Sequence, residues 1–203
     1  MSLMNKIIIT TSDLYHHCLP VFFNCYNKHW GDLFELVGYK EPDNLPDNCR
    51  FVSLGEQRGP KYFTEDLSEY FKKQPLFFCW LMEDTFIKSF NERRYHLTIA
   101  KFLTPDIAKI SLVNEAIRRP HKVDGQYFIC ENKTDYLLST QPAIWNRDFL
   151  LKWMKPGMNP WDFETQIVDD FRSVIGPVEN IIQHNEGCRK HNIHELNLEG
   201  IEL

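Results

Sequence analysis

At 203 residues, 43% hydrophobic and 25% charged, the chain has the size and composition of one soluble domain able to bury a sizeable core. Its formal net charge of −5, with no Lys/Arg run, excludes phosphate backbones as general partners, so no nucleic acid is expected. No apolar segment approaches the ~20 residues of a membrane span, no signal-type leader is evident, and the six cysteines form no C-x-x-C pair, which together predict a cytoplasmic protein with reduced thiols.

Met1-Ser2-Leu3 reads as a cloning remnant ahead of a start at Met4. Residues 6–11 (KIIITT) are short and β-branched and predict a first strand; Ser12-Asp13 can cap a helix over about 15–30. Residues 33–39 (LFELVGY) and 49–54 predict two further strands, separated by a turn-rich stretch with Pro42 and Pro46. After a loop at 55–60, Thr64 with Glu65 and Asp66 behind it opens a helix reaching Lys73. Residues 76–86 (LFFCWLMEDTF) then read as one strand buried on both faces, with the carboxylates Glu83 and Asp84 at its carboxyl end.

Beyond this strand the spacing predicts a helix over 91–103 and short strands at 107–113, 126–130 and 136–139. Residues 142–154 start as a turn at Pro142 and continue as an amphipathic helix with apolar residues at 149, 150 and 153. A second helix is predicted over 162–174, then a strand-like 178–183 and a loosely held tail at 184–203. Strands alternating with helices imply an α/β fold, one domain over 1–203, with a mostly parallel central sheet flanked by helices.

Buried carboxylates need water, a cation or donor groups, and in open α/β sheets ligands sit at the carboxyl edge of the strands. Glu83 and Asp84 are therefore candidate ligands, the bland alternative being a strand that has simply reached solvent. Thr10, Thr11, Ser12 and Asp13 occupy the first strand-to-helix turn, where nucleotides lie in doubly wound folds; plain helix capping explains them equally. Glu164 and Asp162 stand near a helix start, where a helix-dipole role is worth ~0.3–1 kcal/mol each. Trp145 and Trp161 are of a residue type that more often simply packs, with the polar Gln141 nearby. Cys188-x-x-His191-x-x-His194 superficially resembles a metal cluster but lacks the second ligand pair of structural zinc sites.

Gln141-Pro142-Ala143-Ile144-Trp145, then Phe149-Leu150, then Pro160-Trp161-Asp162-Phe163-Glu164 resemble the Q-P-A-x-W and P-W-x-F-E pattern of bacterial sugar-nucleotide-dependent glycosyltransferases. The resemblance covers roughly 6–185 and implies a glycosyltransferase A-type fold, a single Rossmann-like sheet with the nucleotide sugar over the carboxyl ends of its first strands. It further implies Mn²⁺ or Mg²⁺ held by Glu83 and Asp84, with a tail histidine, His184, completing the set; an acceptor base at Glu164, with Asp162 next; and sugar contacts from Trp145 and Trp161 with Gln141 beside them. The implied activity moves a sugar from a nucleotide-sugar donor to a glycan or lipid-linked acceptor in surface-polysaccharide synthesis, with peripheral membrane association left open. One departure stands out: the acidic triplet is Glu83-Asp84-Thr85, without a third acid. The alternative is therefore a catalytically silent A-type domain that binds nucleotide or glycan, or supports a partner enzyme. A nucleotidyltransferase would carry a Gly-rich basic loop after its first strand, where this chain has Thr10-Thr11-Ser12-Asp13.

Overall fold

The computed structural model describes residues 6–114, 121–189 and 192–201. The strands are β1 (Ile7–Thr10), β2 (Phe34–Gly38), β3 (Cys49–Ser53), β4 (Phe77–Met82), β5 (Thr85–Phe90), β6 (Ile107–Ser111), β7 (His121–Asp124), β8 (Tyr127–Cys130), β9 (Ala143–Asn146), β10 (Ser173–Pro177), β11 (Ile182–Glu186), β12 (Cys188–Arg189) and β13 (Asn192–Leu196). The α-helices are α1 (Leu19–His29), α2 (Phe63–Phe71), α3 (Glu92–Phe102), α4 (Arg147–Trp153) and α5 (Pro160–Glu164). Nine strands form the central sheet in the order β3-β2-β1-β4-β9-β6-β10-β8-β7, with β8 and β9 running against the others.

The apolar run in β4 has its cause in this architecture. Successive side chains of a strand point to opposite faces, and here both faces are covered. Cys79 and Leu81 pack with Phe22 and Tyr26 of α1 and Ile99 of α3. Phe78 and Trp80 pack with Phe71 of α2, Trp145 of β9 and Phe149 of α4 on the other side. No solvated face remains, so the alternation of polar and apolar residues disappears.

Several expected elements differ. The predicted strand 76–86 is two strands: Glu83 and Asp84 form the turn between β4 and β5, and β5 leaves the main sheet to pair with β11. The acids make this break within an apolar sequence that carries no glycine or proline there. The predicted helix 15–30 begins as a 3-10 turn, Asp13–Cys18, and becomes α-helical at Leu19, with proline in its first turn. Residues 136–139 are turn rather than strand, with Tyr136 in the left-handed region at φ 59°. Residues 143–146 are not the start of a helix but β9, wedged antiparallel between β4 and β6. Four residues are too few to display a period.

The helix predicted over 162–174 stops at Glu164, and the sheet instead gains β10 between β6 and β8. In the expected tail, 182–186 rather than 178–183 forms the strand, and β12 pairs with β13. Residues 1–3 lie outside the described residues, as do His191 and the side chains of Cys188 and His194.

Candidate functional site

The parallel strands bring three chain segments to one edge of the sheet. At the end of β1, Thr10 is fixed from below: its hydroxyl accepts from Trp80 Nε1 at 2.9 Å and donates to Met82 Sδ at 3.1 Å. Thr11 N–H continues the ladder to Val37 O at 2.9 Å. The β4–β5 turn closes onto this segment, since Glu83 N–H donates to Thr10 O at 3.2 Å and Ser12 N–H to Glu83 Oε1 at 3.4 Å. The two carboxylates and the first-strand turn thus share one corner of the molecule. Thr10 and Thr11 are buried, Ser12 is half-buried and Asp13 exposed, where Asp13 accepts from Lys40 N–H at 3.1 Å.

Glu83 is 3% exposed, and its Oε2 has no hydrogen-bond partner among the described residues. Burial, reinforced by Asp84 next to it, pushes its carboxyl well above the usual carboxylate range. Asp84 is pushed up to about 6, by burial first and then by the nearby carboxylate of Glu186, with Glu164 adding to it. Glu186 is brought there by β11, whose register places it opposite Thr85, while Gly187 N–H donates to Asp84 O at 2.5 Å. A Cβ at Gly187 would stand 2.9 Å from Asp84 O and 2.8 Å from Phe86 Cζ, so only glycine allows this approach.

The third segment precedes β9. Thr140 donates both its N–H and its hydroxyl to Glu164 Oε1, each at 2.5 Å, which ties the end of α5 to the entry of β9. Gln141 Oε1 lies 2.8 Å from His184 Nε2, so these two expected site residues hold each other. Asp162 is exposed and takes part in a capping box with Asn159. Trp161 is 69% exposed, whereas Trp145 is fully buried between Trp80 and Phe149 with Lys109 Nζ over its ring. Trp145 is thus a core anchor facing no acceptor; its sequence environment, aromatic and preceded by Ala143-Ile144, is that of a buried strand.

Sequence reasoning missed Glu186 and Thr140. Their only signals were two acidic or polar residues adjoining His184 and Gln141, and only strand pairing assigns them a place.

No three His, Cys, Asp or Glu side chains among the described residues stand together as a ready-made metal cage. The carboxylates nonetheless fit a hard divalent cation of the kind that takes one or two protein carboxylates and fills its remaining positions with phosphate oxygens and water. The partnerless Glu83 Oε2 and the mutual repulsion around Asp84 are what such a cation relieves.

No protein-family profile matches the chain, and no curated protein matches it. Among solved structures it is similar to UDP-glucose pyrophosphorylase complexed with UDP-glucose, at 12% identity and TM-score 0.54 over 90% of this chain and 93% of the other. The apo form of UDP-glucose pyrophosphorylase gives 11% identity and TM-score 0.53 over the same shares. A galactosyltransferase, LgtC, in complex with donor and acceptor sugar analogs matches at 14% identity and TM-score 0.41; the match covers 73% of this chain but 59% of LgtC. Among the described residues no helix is long and apolar enough to cross a membrane. In architecture the chain shares the α/β fold of UDP-glucose pyrophosphorylase, with a mostly parallel central sheet flanked by helices.

Proposed function

We propose that the corner formed by Thr10–Asp13 and Glu83–Asp84 binds a nucleotide diphospho-sugar, and that the protein transfers the sugar to a hydroxyl of a glycan or lipid-linked acceptor. One observation carries this reading: the β4–β5 acid turn is hydrogen-bonded to the first-strand turn at the carboxyl edge of the sheet. That a protein of the same fold has been seen with UDP-glucose supports the ligand class.

In this mechanism the first-strand turn borders the nucleotide, and Asp84 with Glu83 would hold Mg²⁺ or Mn²⁺. The metal, when bound, offsets charge on the departing diphosphate. For a displacement with inversion, Glu164, held by Thr140, is the base that takes the acceptor proton as the new glycosidic bond forms and the anomeric bond to diphosphate breaks. Gln141, steadied by His184, contributes a polar contact, and the exposed Trp161 face stacks on the acceptor sugar. The surface-polysaccharide setting rests on the glycosyltransferase resemblance.

Calorimetric titration with nucleoside diphosphates and nucleotide sugars, with and without Mn²⁺, tests the reading. Saturable, Mn²⁺-dependent binding that disappears in Asp84→Ala is expected; no binding by any donor to folded protein overturns it. A second reading, a silent A-type binding domain, is favoured by Thr85 standing where a third acid would be. It predicts donor binding without metal-dependent hydrolysis or transfer.

A further inference from the structure

A cavity separate from this corner lies at the opposite edge of the sheet. Ser173 opens β10 there and Cys130 closes the antiparallel β8, so the cavity sits below the amino-terminal ends of the parallel strands. It encloses about 270 Å³, with Leu137, Phe149 and Val168 among its apolar walls and Asp170 and Arg172 on its polar side. Asp170 is 6% exposed and forms ion pairs with Lys152 at 2.7 Å and with Arg172 at 3.4 Å. Two cations meet one acid, which leaves a surplus positive charge beside apolar walls.

Arg172 is incompletely satisfied. Its Nε is buried and has no hydrogen-bond partner among the described residues, a costly state for a guanidinium N–H. Its guanidinium carbon lies 4.8 Å from the centroid of the Phe171 ring, and Phe171, which also lines the cavity, is 80% exposed. A planar anion set against the guanidinium meets the surplus charge. A phosphate dianion is disfavoured by the Asp170 carboxylate and by the apolar walls. Ligand pockets for drug-sized molecules start at roughly 300 Å³, so the space suits a molecule of about one ring.

We propose that this cavity binds a small organic carboxylate with an apolar or aromatic body, its carboxylate against the Arg172 guanidinium, its body against Leu137, Phe149 and Val168, with Phe171 closing over it.

The test is a titration of the isotope-labelled full chain with benzoate, following the Arg172 side-chain Nε–Hε resonance and the amides of 168–174. A saturable shift with half-saturation at millimolar benzoate is expected. Arg172→Gln weakens it at least tenfold. Phe171→Ala, which removes an exposed ring and leaves the Arg172–Asp170 pair in place, weakens it several-fold with an unchanged melting temperature. Benzyl alcohol and inorganic phosphate each bind at least tenfold more weakly than benzoate.

Benzyl alcohol equal to benzoate would reduce the site to an apolar hole, and phosphate equal to benzoate to a simple anion patch; either overturns the proposal. So does a shift that fails to saturate, or full-strength binding in Phe171→Ala, the variant that decides if Arg172→Gln does not fold.

Discussion

Asp84 carries the clearest physical signature of the corner, because burial and then the nearby Glu186 carboxylate push its carboxyl up to about 6, from about 3.9 for a solvated aspartate. Between those values the folded state holds the proton more tightly, so stability falls as pH rises from about 4 through 6, and the loss is complete above that. In metal-free protein Asp84→Asn is therefore expected to raise the melting temperature at pH 7.5 by several degrees, at ~2–4 °C per kcal/mol for a chain of this length. The gain should vanish near pH 4; calorimetric scans of both proteins across pH 4–8 check it, and a pH-independent difference would refute the burial argument. Glu164→Gln separates chemistry from structure, because the amide oxygen still accepts from Thr140. It should leave donor affinity and melting temperature intact while lowering transfer about 10²–10⁴-fold, read from single-turnover assays. At this scale the sequence was legible in position: two adjacent acids closing an apolar run mark where the strand ends, and they lie hydrogen-bonded to the first-strand turn. Glu186 and Thr140 were not legible, since nothing local marks them; they reach the corner through pairings between distant segments. Trp145 misled because a tryptophan that packs on Trp80 and one that packs on a sugar look alike in sequence.

At the scale of elements, the short connections decide the geometry. Asn146 ends β9 and caps α4, its side chain accepting from Asp148 N–H at 3.0 Å and Phe149 N–H at 3.2 Å while itself 2% exposed. Asn146→Ala should cost ~0.5–2 kcal/mol, measured by urea unfolding. The β5–β11 ladder seats the acid turn, and Gly187 permits its closest approach. Gly187→Ala forces the chain away from Asp84 O, so donor affinity should fall at least tenfold while far-UV circular dichroism stays unchanged; equal affinity would show that β11 does not shape the corner. The parallel half, β1 to β4, was readable because each strand is a short run rich in β-branched or aromatic residues and bounded by turn residues. The second half was not, because β9 has four residues and β10 follows a helix that ends eight residues before it, with no periodicity to separate the two.

Across the whole molecule, one sheet is shared by two cores, so neither face is stable without the other. Ile8 and Trp80 bury on one side, Ile9 and Leu81 on the other, from adjacent positions of the same central strands. Unfolding in urea should therefore be a single transition, with tryptophan fluorescence and far-UV circular dichroism superimposing; two separated midpoints would show that the faces come apart independently. The strand order carries a further consequence, in the time the chain takes to be made. β10 is synthesised after β6, β8 and β9, yet it lies between β6 and β8, so the β7–β8 hairpin has no place in the sheet until 173–177 emerge. Asp84 waits longer still: Glu186 and Gly187 follow it by roughly 100 residues, on the order of 5–20 s at typical synthesis rates of ~5–20 residues per second. A ribosome halted between Asp84 and that point releases a chain that already carries the acid turn but not the strand that seats it.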